Sequence, residues 1–271
     1  MASSKSRDFV VRRAVQGDAE FLSIGAREAE RCHTGIGLYD SLVGMGYDEI
    51  GASDRAREDR VSRVLKHCLQ DADSHIHISH FVIVCEAHSK VPVACAAAFP
   101  YPEFSVKNSM RGFNRAMKAE LGYPPSACRQ AWRGVQWLDS SFPEVDCNGS
   151  WMLDAVYVAP WWRGEGLGLR VVEAAVRMRM DCPEVPPPVL HQHYTRTRSH
   201  ERGQEEVQLE QVRQGTMAGR RCMLACAIGN TGAQRIYEKA GFRVIGEGNS
   251  ERCMQAIKCP GFNVMETDLA G

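Results

Sequence analysis

Val156-Tyr157-Val158-Ala159-Pro160-Trp161-Trp162-Arg163-Gly164-Glu165-Gly166-Leu167-Gly168 is the stretch on which the fold turns. Met152 to Val158 is rich in β-formers and reads as a buried strand, and Pro160 ends it. Three alternating glycines follow, which let the backbone turn tightly and come close to a ligand without Cβ clashes. A helix comes next, with Leu169, Val172, Val176 and Met180 expected on its apolar face. The first amides of such a helix have no partner within it, and the helix dipole adds positive potential. A strand, a glycine turn and a helix start therefore form an anion site suited to a pyrophosphate, with Arg163 as a charged donor at the loop entrance.

Three phosphate loops compete for this pattern. A dinucleotide fingerprint needs G-x-G-x-x-G, but the sixth position from Gly164 is Leu169. A Walker loop needs G-K-[S/T], which is absent. The spacing R-x-x-G-x-G of an acyl-CoA loop is present. Glycines at a plain structural turn are the bland alternative.

Working outward, Val10 to Arg13 reads as a first strand, and Asp18 as the cap of a helix carrying Phe21, Leu22, Ala26 and Ala29 on one face. The glycine-rich Thr34 to Tyr39 breaks it. A second helix, capped by Ser53 or Asp54, places Val61, Val64, Leu65, Cys68 and Leu69 at helical spacing. Phe81–Cys85 and Val91–Ala96 read as a hairpin around His88-Ser89-Lys90. Residues 101–147 read as an insertion. One of its helices carries Val106, Met110, Phe113, Met117 and Leu121; another follows Pro124-Pro125 and holds Trp132, Val135 and Leu138. Asn148-Gly149 is a hairpin-turn signal. Residues 182–221, rich in proline, histidine and charge, read as a second insertion with one helix at 205–213. A strand at 222–227, a helix capped by Asn230 or Thr231 with Ala233, Ile236, Tyr237 and Ala240 on its face, and strands at 242–245 and 262–266 close the chain. The expected order is β-α-α-β-β-β-α-β-α-β-β, a mixed α/β (α+β) fold in one domain, 1–271, with two insertions.

Composition narrows the function. The 271 residues carry 33 basic and 33 acidic side chains, for zero formal charge, and are 44% hydrophobic. That balance argues against a globally steered nucleic-acid binder. No apolar run reaches the ~18 residues of a membrane span, and the polar N-terminus does not read as a secretory signal. The expected location is cytoplasmic, with the eleven cysteines as reduced thiols and the sequon at Asn148 without consequence.

Two stretches in order carry a family resemblance. Val156 to Gly168 resembles motif A, and Asn230-Thr231-Gly232-Ala233-Gln234-Arg235-Ile236-Tyr237-Glu238-Lys239-Ala240-Gly241-Phe242 resembles motif B, of the GNAT N-acetyltransferase superfamily. The likeness covers roughly 8–100, 150–180 and 222–267; the two insertions depart from it. It implies a central mixed twisted sheet with flanking helices, in which the motif A strand and the 222–227 strand splay apart around the pantetheine arm of acetyl-CoA, the co-substrate. Cofactor contacts then fall to Val156, Tyr157 and Val158 of the strand and to Arg163, Gly164, Glu165, Gly166, Leu167 and Gly168 of the loop. Asn230 reaches the pantetheine or caps its own helix, and Ala233 permits close approach. Acyl transfer is direct, the Val158 amide serves the oxyanion, and Tyr237 is the acid toward the departing thiolate.

The attacking amine must be neutral although alkyl amines titrate near ~10.4, so a base is needed. Asp154 is the candidate, because in a regular strand it shares a face with Val158; Glu86 is a weaker rival, and a solvated carboxylate is the bland reading. His75, His77 and His80, with His75 and His77 on one strand face, do not make a convincing metal site, nor do His191 and His193, so no metal is expected. Trp161-Trp162 would flank the adenine or simply pack, and Trp132 and Trp137 would wall the acceptor pocket.

The expected activity is acetyl transfer from acetyl-CoA to a small-molecule amine. A protein N-terminal or lysine acetyltransferase and a non-catalytic acyl-CoA sensor are the alternatives. Neither nucleic acid nor a membrane is an expected partner; a second copy of the chain, as a homodimer, is allowed.

Overall fold

A computed structural model describes residues 8–44, 54–101, 106–180 and 221–269. The 205–213 helix, most of the 182–221 insertion, His191, His193 and Ser53 lie outside them.

The described chain forms one seven-stranded sheet of order β1-β2-β3-β4-β5-β7-β6. The strands are β1 (Phe9–Arg13), β2 (Phe81–Glu86), β3 (Pro92–Pro100), β4 (Trp151–Val158), β5 (Arg221–Ala227), β6 (Arg243–Asn249) and β7 (Gly261–Asp268). The helices are α1 (Ala19–Arg31), α2 (Leu38–Gly44), α3 (Asp54–Gln70), α4 (Val106–Leu121), α5 (Pro125–Gly134), α6 (Leu167–Met180), α7 (Thr231–Lys239) and α8 (Glu251–Ile257). Pairing is antiparallel except between β4 and β5. The sheet is mixed, as expected from the sequence.

Both faces of the sheet are covered, which is why β2 and β3 read as near-continuous apolar runs. One core cluster lies beneath α1 to α5 and includes Phe81, Ile83, Ala155 and Tyr157. The other lies beneath α6 and α7 and includes Val82, Val84, Leu153 and Tyr237. The expected face of α3 holds, since Val61, Val64, Leu65, Cys68 and Leu69 are all buried.

Several local expectations give way to tertiary context. Asp18 precedes α1 but makes no capping bond. Its carboxylate accepts two bonds from the Arg12 guanidinium, at 2.7 and 2.9 Å, and one from the Val15 amide. A charge-assisted fork outcompetes a single backbone cap. The glycine-rich stretch after α1 leads into α2, held by Asp40. The α6 face is rotated to Leu167, Val171, Val172 and Ala175, which are buried, while Leu169 and Val176 are only partly so. That helix is apolar on most sides, so spacing alone does not choose its face. Asn148-Gly149 does form a turn, with Gly149 at φ 68°, but not a hairpin. The strand after it pairs with β3 across the whole first insertion. The α8 helix, between the last two strands, has no counterpart in the sequence reading.

α1 crosses β3 and β4 at Gly25, where a Cβ would meet Cys95 Sγ at 2.6 Å and Tyr157 Cδ1 at 3.3 Å. Phe21, one turn earlier, sits 5.9 Å from the Tyr157 ring. Alanine at 25 would gain about 1 kcal/mol in helix propensity, yet overpacking costs about 1–3 kcal/mol. We expect Gly25→Ala to be destabilised in urea unfolding, and Cys95→Ala in the same chain to recover most of the loss. Full stability of Gly25→Ala alone would show that the helix is not pinned there.

Candidate active site

β4 and β5 pair through only two residue pairs, Trp151–Cys222 and Met152–Met223. Beyond them the strands part. On its other side β4 stays paired with β3, and the Ala159 amide donates to Val93 O at 2.9 Å. In an antiparallel ladder the residues turned toward the neighbour alternate. The main-chain groups of Val158 and Val156 therefore face the split, and those of Tyr157 face β3.

The glycine loop lies beyond the open end of this split. Gly164 and Gly166 take left-handed φ values of 89° and 74°, with open space where a Cβ would stand. Any other L-residue at either position would be strained. Residues Arg163 to Gly166 are exposed, so the turn is not covered by its own protein. Among the described residues, no amide from Gly164 to Gly168 donates a main-chain hydrogen bond outside the helix. Gly168 serves packing instead, since a Cβ there would meet Ile236 Cδ1 of α7 at 2.8 Å. Arg163 donates from Nε to the Val158 carbonyl at 3.2 Å, linking loop and strand. The loop's donors fit a diphosphate. Trp162 packs edge-on against Phe9 at 5.5 Å, whereas Trp161 is 91% exposed beside the loop.

From α7, Asn230 Oδ1 accepts from the Ala233 amide at 3.3 Å, so of its two expected roles the structure has the cap. Ala233 packs partly buried against the second core cluster. Tyr237 is buried against Phe242. Burial pushes its hydroxyl above the ordinary tyrosine range, with nearby Cys226, Cys32 and Asp154 adding to the effect. It stays protonated, a donor and not an anion.

The β4 strand is not regular. Its register with β3 shifts between the Cys95 and Ala97 pairs, and Ala155 takes φ 50°. This bulge puts one extra residue on the α1 face. Asp154 consequently lies on the side of Tyr39 and His75, and the Val158 side chain packs with the opposite cluster. The shared face expected of a regular strand is lost. The Asp154 carboxylate accepts from the Ala155 amide at 2.6 Å and lies 3.9 Å from His75 Nε2. Tyr39 Oη is 3.4 Å from that same nitrogen. Burial lowers the His75 pKa, against the pull of Asp154, and the ring is neutral. His75, expected to share a strand face with His77, instead precedes a helical turn at Ile78–His80. Among the described residues no three histidine, cysteine or acidic side chains form a metal-holding group.

Glu30, in the last turn of α1, was not among the sequence candidates. Its charged neighbours on α1, Arg27, Glu28 and Arg31, are paired. Arg31 forks onto Asp40 at 2.8 and 2.7 Å, and also meets Glu28 and Glu58 at 3.1 Å. The Gly37 amide completes Asp40. Glu30 has no such partner among the described residues. Burial, and then the charge of Asp154, raise its pKa to about 8. Helical spacing offers no signal for this, because Glu28 and Glu30 look alike until the strand beneath them is known. Glu86, the other base candidate, accepts from the Ser89 amide in the β2–β3 turn. Trp137 is buried in the first core cluster, and Trp132 packs edge-on against Phe113 at 6.3 Å.

No protein-family model matches the chain, and no curated protein matches it. Solved structures do. The crystal structure of an acetyltransferase aligns over 96% of this chain and 100% of its own, at 15% identity and a TM-score of 0.53. An N-acetyltransferase from Staphylococcus aureus Mu50 aligns over 95% and 100%, at 14% identity and 0.48. Spermidine N-acetyltransferase from Vibrio cholerae, in complex with CoA and spermine, aligns over 96% and 95%, at 12% and 0.40. The first of these carries the conclusion that this is an acetyltransferase fold. With the split sheet and the glycine loop, it is the GNAT-type fold that the sequence resembles.

A carboxyl whose pKa rises on folding favours the folded state below its unfolded value and withdraws that contribution as pH climbs to the folded value. For Glu30 the window runs from 4.5 to about 8. The Tm of Glu30→Gln should therefore match the parent at pH 4 and exceed it increasingly up to pH 8. A constant difference across that range would mean that Glu30 titrates normally.

Proposed function

We propose that this protein transfers the acetyl group of acetyl-CoA to the primary amine of a small molecule by direct attack. The observation that carries the reading is the split between β4 and β5, with unsatisfied loop amides at its open end and proton-handling side chains deeper in. Acetyl-CoA supplies the acyl group already activated as a thioester.

The chain's own groups divide the remaining work. Gly164, Glu165, Gly166, Leu167 and Gly168 offer amides to the pyrophosphate, and Arg163 adds charge. Val156 and Val158 offer main-chain groups to the pantetheine arm, and the Val158 N–H polarises the acyl carbonyl. Tyr157 only braces this edge, its main chain being turned to β3 and its side chain packed beneath α1. Asn230 and Ala233 set the start of α7 close to the split. Tyr237 donates its hydroxyl proton toward the sulfur. The carboxyl pair Glu30–Asp154 accepts the amine's proton, Glu30 being the member tuned close to physiological pH.

Two features support direct transfer to a small acceptor. Cys32 and Cys226, which lie near Tyr237, are both held above the usual thiol range by burial, Cys226 at about 11. Neither is poised as a thiolate nucleophile. The first insertion also closes in on the carboxyl pair, because Phe113 of α4 packs 6.0 Å from the His75 ring. An extra wall there leaves less room than a broad peptide groove requires.

Thiol release from acetyl-CoA across a panel of small amines and peptides tests this directly, alongside CoA protection against heat. Absence of both ends the reading; protection without turnover leaves a sensor. Tyr237→Phe should fold and bind CoA but turn over about 10²-fold more slowly. The kcat profile should rise through about pH 8. Asp154→Asn, by removing a neighbouring negative charge, should move that midpoint downward, and an unmoved midpoint would separate Asp154 from the proton transfer.

A further inference from the structure

The first insertion forms a half-open cavity of its own, about 560 Å³ in volume, between α4 and α5. On α4, Met110, Asn114 and Lys118 follow one another at four-residue spacing and form one stripe. The facing stripe on α5 runs through Cys128, Arg129, Trp132 and Arg133. Phe113 and Met117 turn instead into the main core. The two stripes face each other without filling the space between them.

The chemistry of the walls is one-sided. Met110, Tyr123, Cys128, Trp132, Val135 and Leu138 supply an apolar and aromatic interior. Lys118, Arg129 and Arg133 stand at it with their charges, exposed, and none of the three makes an ion pair with a described residue. Among the described residues no aspartate or glutamate lines the cavity. Asn114 accepts from the Trp132 indole at 2.9 Å, which leaves its amide N–H groups as donors. The volume falls in the range of small-molecule sites, about 300–1,000 Å³.

None of the cavity's described lining residues belongs to the split or to the carboxyl pair. From Trp132 the path to His75 runs through Phe113, by ring contacts of 6.3 and 6.0 Å. Phe113 is buried and forms part of the wall between them.

We infer that this cavity binds an amphipathic carboxylate: an unbranched acyl chain of medium length inside, with its anionic head against Lys118, Arg129 and Arg133. Apolar walls would select the chain, and three cations without a carboxylate among them would select the sign of the head. The inference does not depend on acetyl transfer.

Calorimetric titration of the full chain with decanoate tests it, with decyltrimethylammonium as the charge-reversed control. Saturable decanoate binding is expected, weak or absent for the cation, and unchanged by saturating CoA. The exposed pair Arg129→Glu/Arg133→Glu should keep the parent Tm and weaken decanoate binding about tenfold or more. The indole N–H resonance of Trp132, assigned as the one missing from Trp132→Phe, should shift on titration. Lack of saturable binding, equal affinity for both amphiphiles, indifference to the charge reversal, displacement by CoA or an unmoved Trp132 signal would each overturn it.

Discussion

The early parting of β4 and β5 governs this molecule. Two parallel strands that paired along their length would satisfy each other's main chain and leave nothing to bind. Here pairing stops after Met152 and Met223, and the backbone of Val156 and Val158 is turned toward the gap. The sheet survives the break because each strand is held from its outer side, β4 by β3 and β5 by β7. The result is a slot lined by peptide groups inside an otherwise apolar two-faced sheet.

The bulge at Ala155 sets the other half of the site. A left-handed alanine is costly, and it turns Asp154 toward α1, α2 and the His75 loop. The same face receives Glu30 from the end of α1. Arg31, beside it, satisfies Asp40 and two glutamates and ties α1, α2 and α3 into one corner. Glu30 has no ion pair there among the described residues, and desolvation next to a second carboxylate raises its pKa. In the proposed reaction the cofactor would be held at the edge of the slot, and the proton would be handled by Glu30 of α1 and Asp154 of β4.

The insertion that separates β3 from β4 does two things at once. Phe113 stacks with Tyr39 at 5.3 Å and lies 6.0 Å from the His75 ring, so α4 walls the pocket of Tyr39 and His75. On its flank, toward α5, the same helix leaves a cationic, apolar-lined cavity that the sheet does not need for its core.

What the sequence by itself determined was local. The strand, the glycine loop, the helix after it, a cap at Asn230 or Thr231 and the buried face of α3 depend on neighbours within a few positions, and short-range backbone preferences suffice to read them. The packing of Tyr237 was legible for the same reason, as one position on a periodic face, whereas its role as an acid is implied only by the family resemblance. Tertiary structure alone decided the rest. Asp18 left its helix for Arg12 because a salt bridge offered two bonds to the cap's one. The face of α6 was settled by the sheet beneath it. Glu30 acquired its character only when α1 was laid over a bulged strand carrying Asp154. A carboxyl's proton affinity is set by the water and charges around it, and those come from residues more than a hundred positions away along the chain.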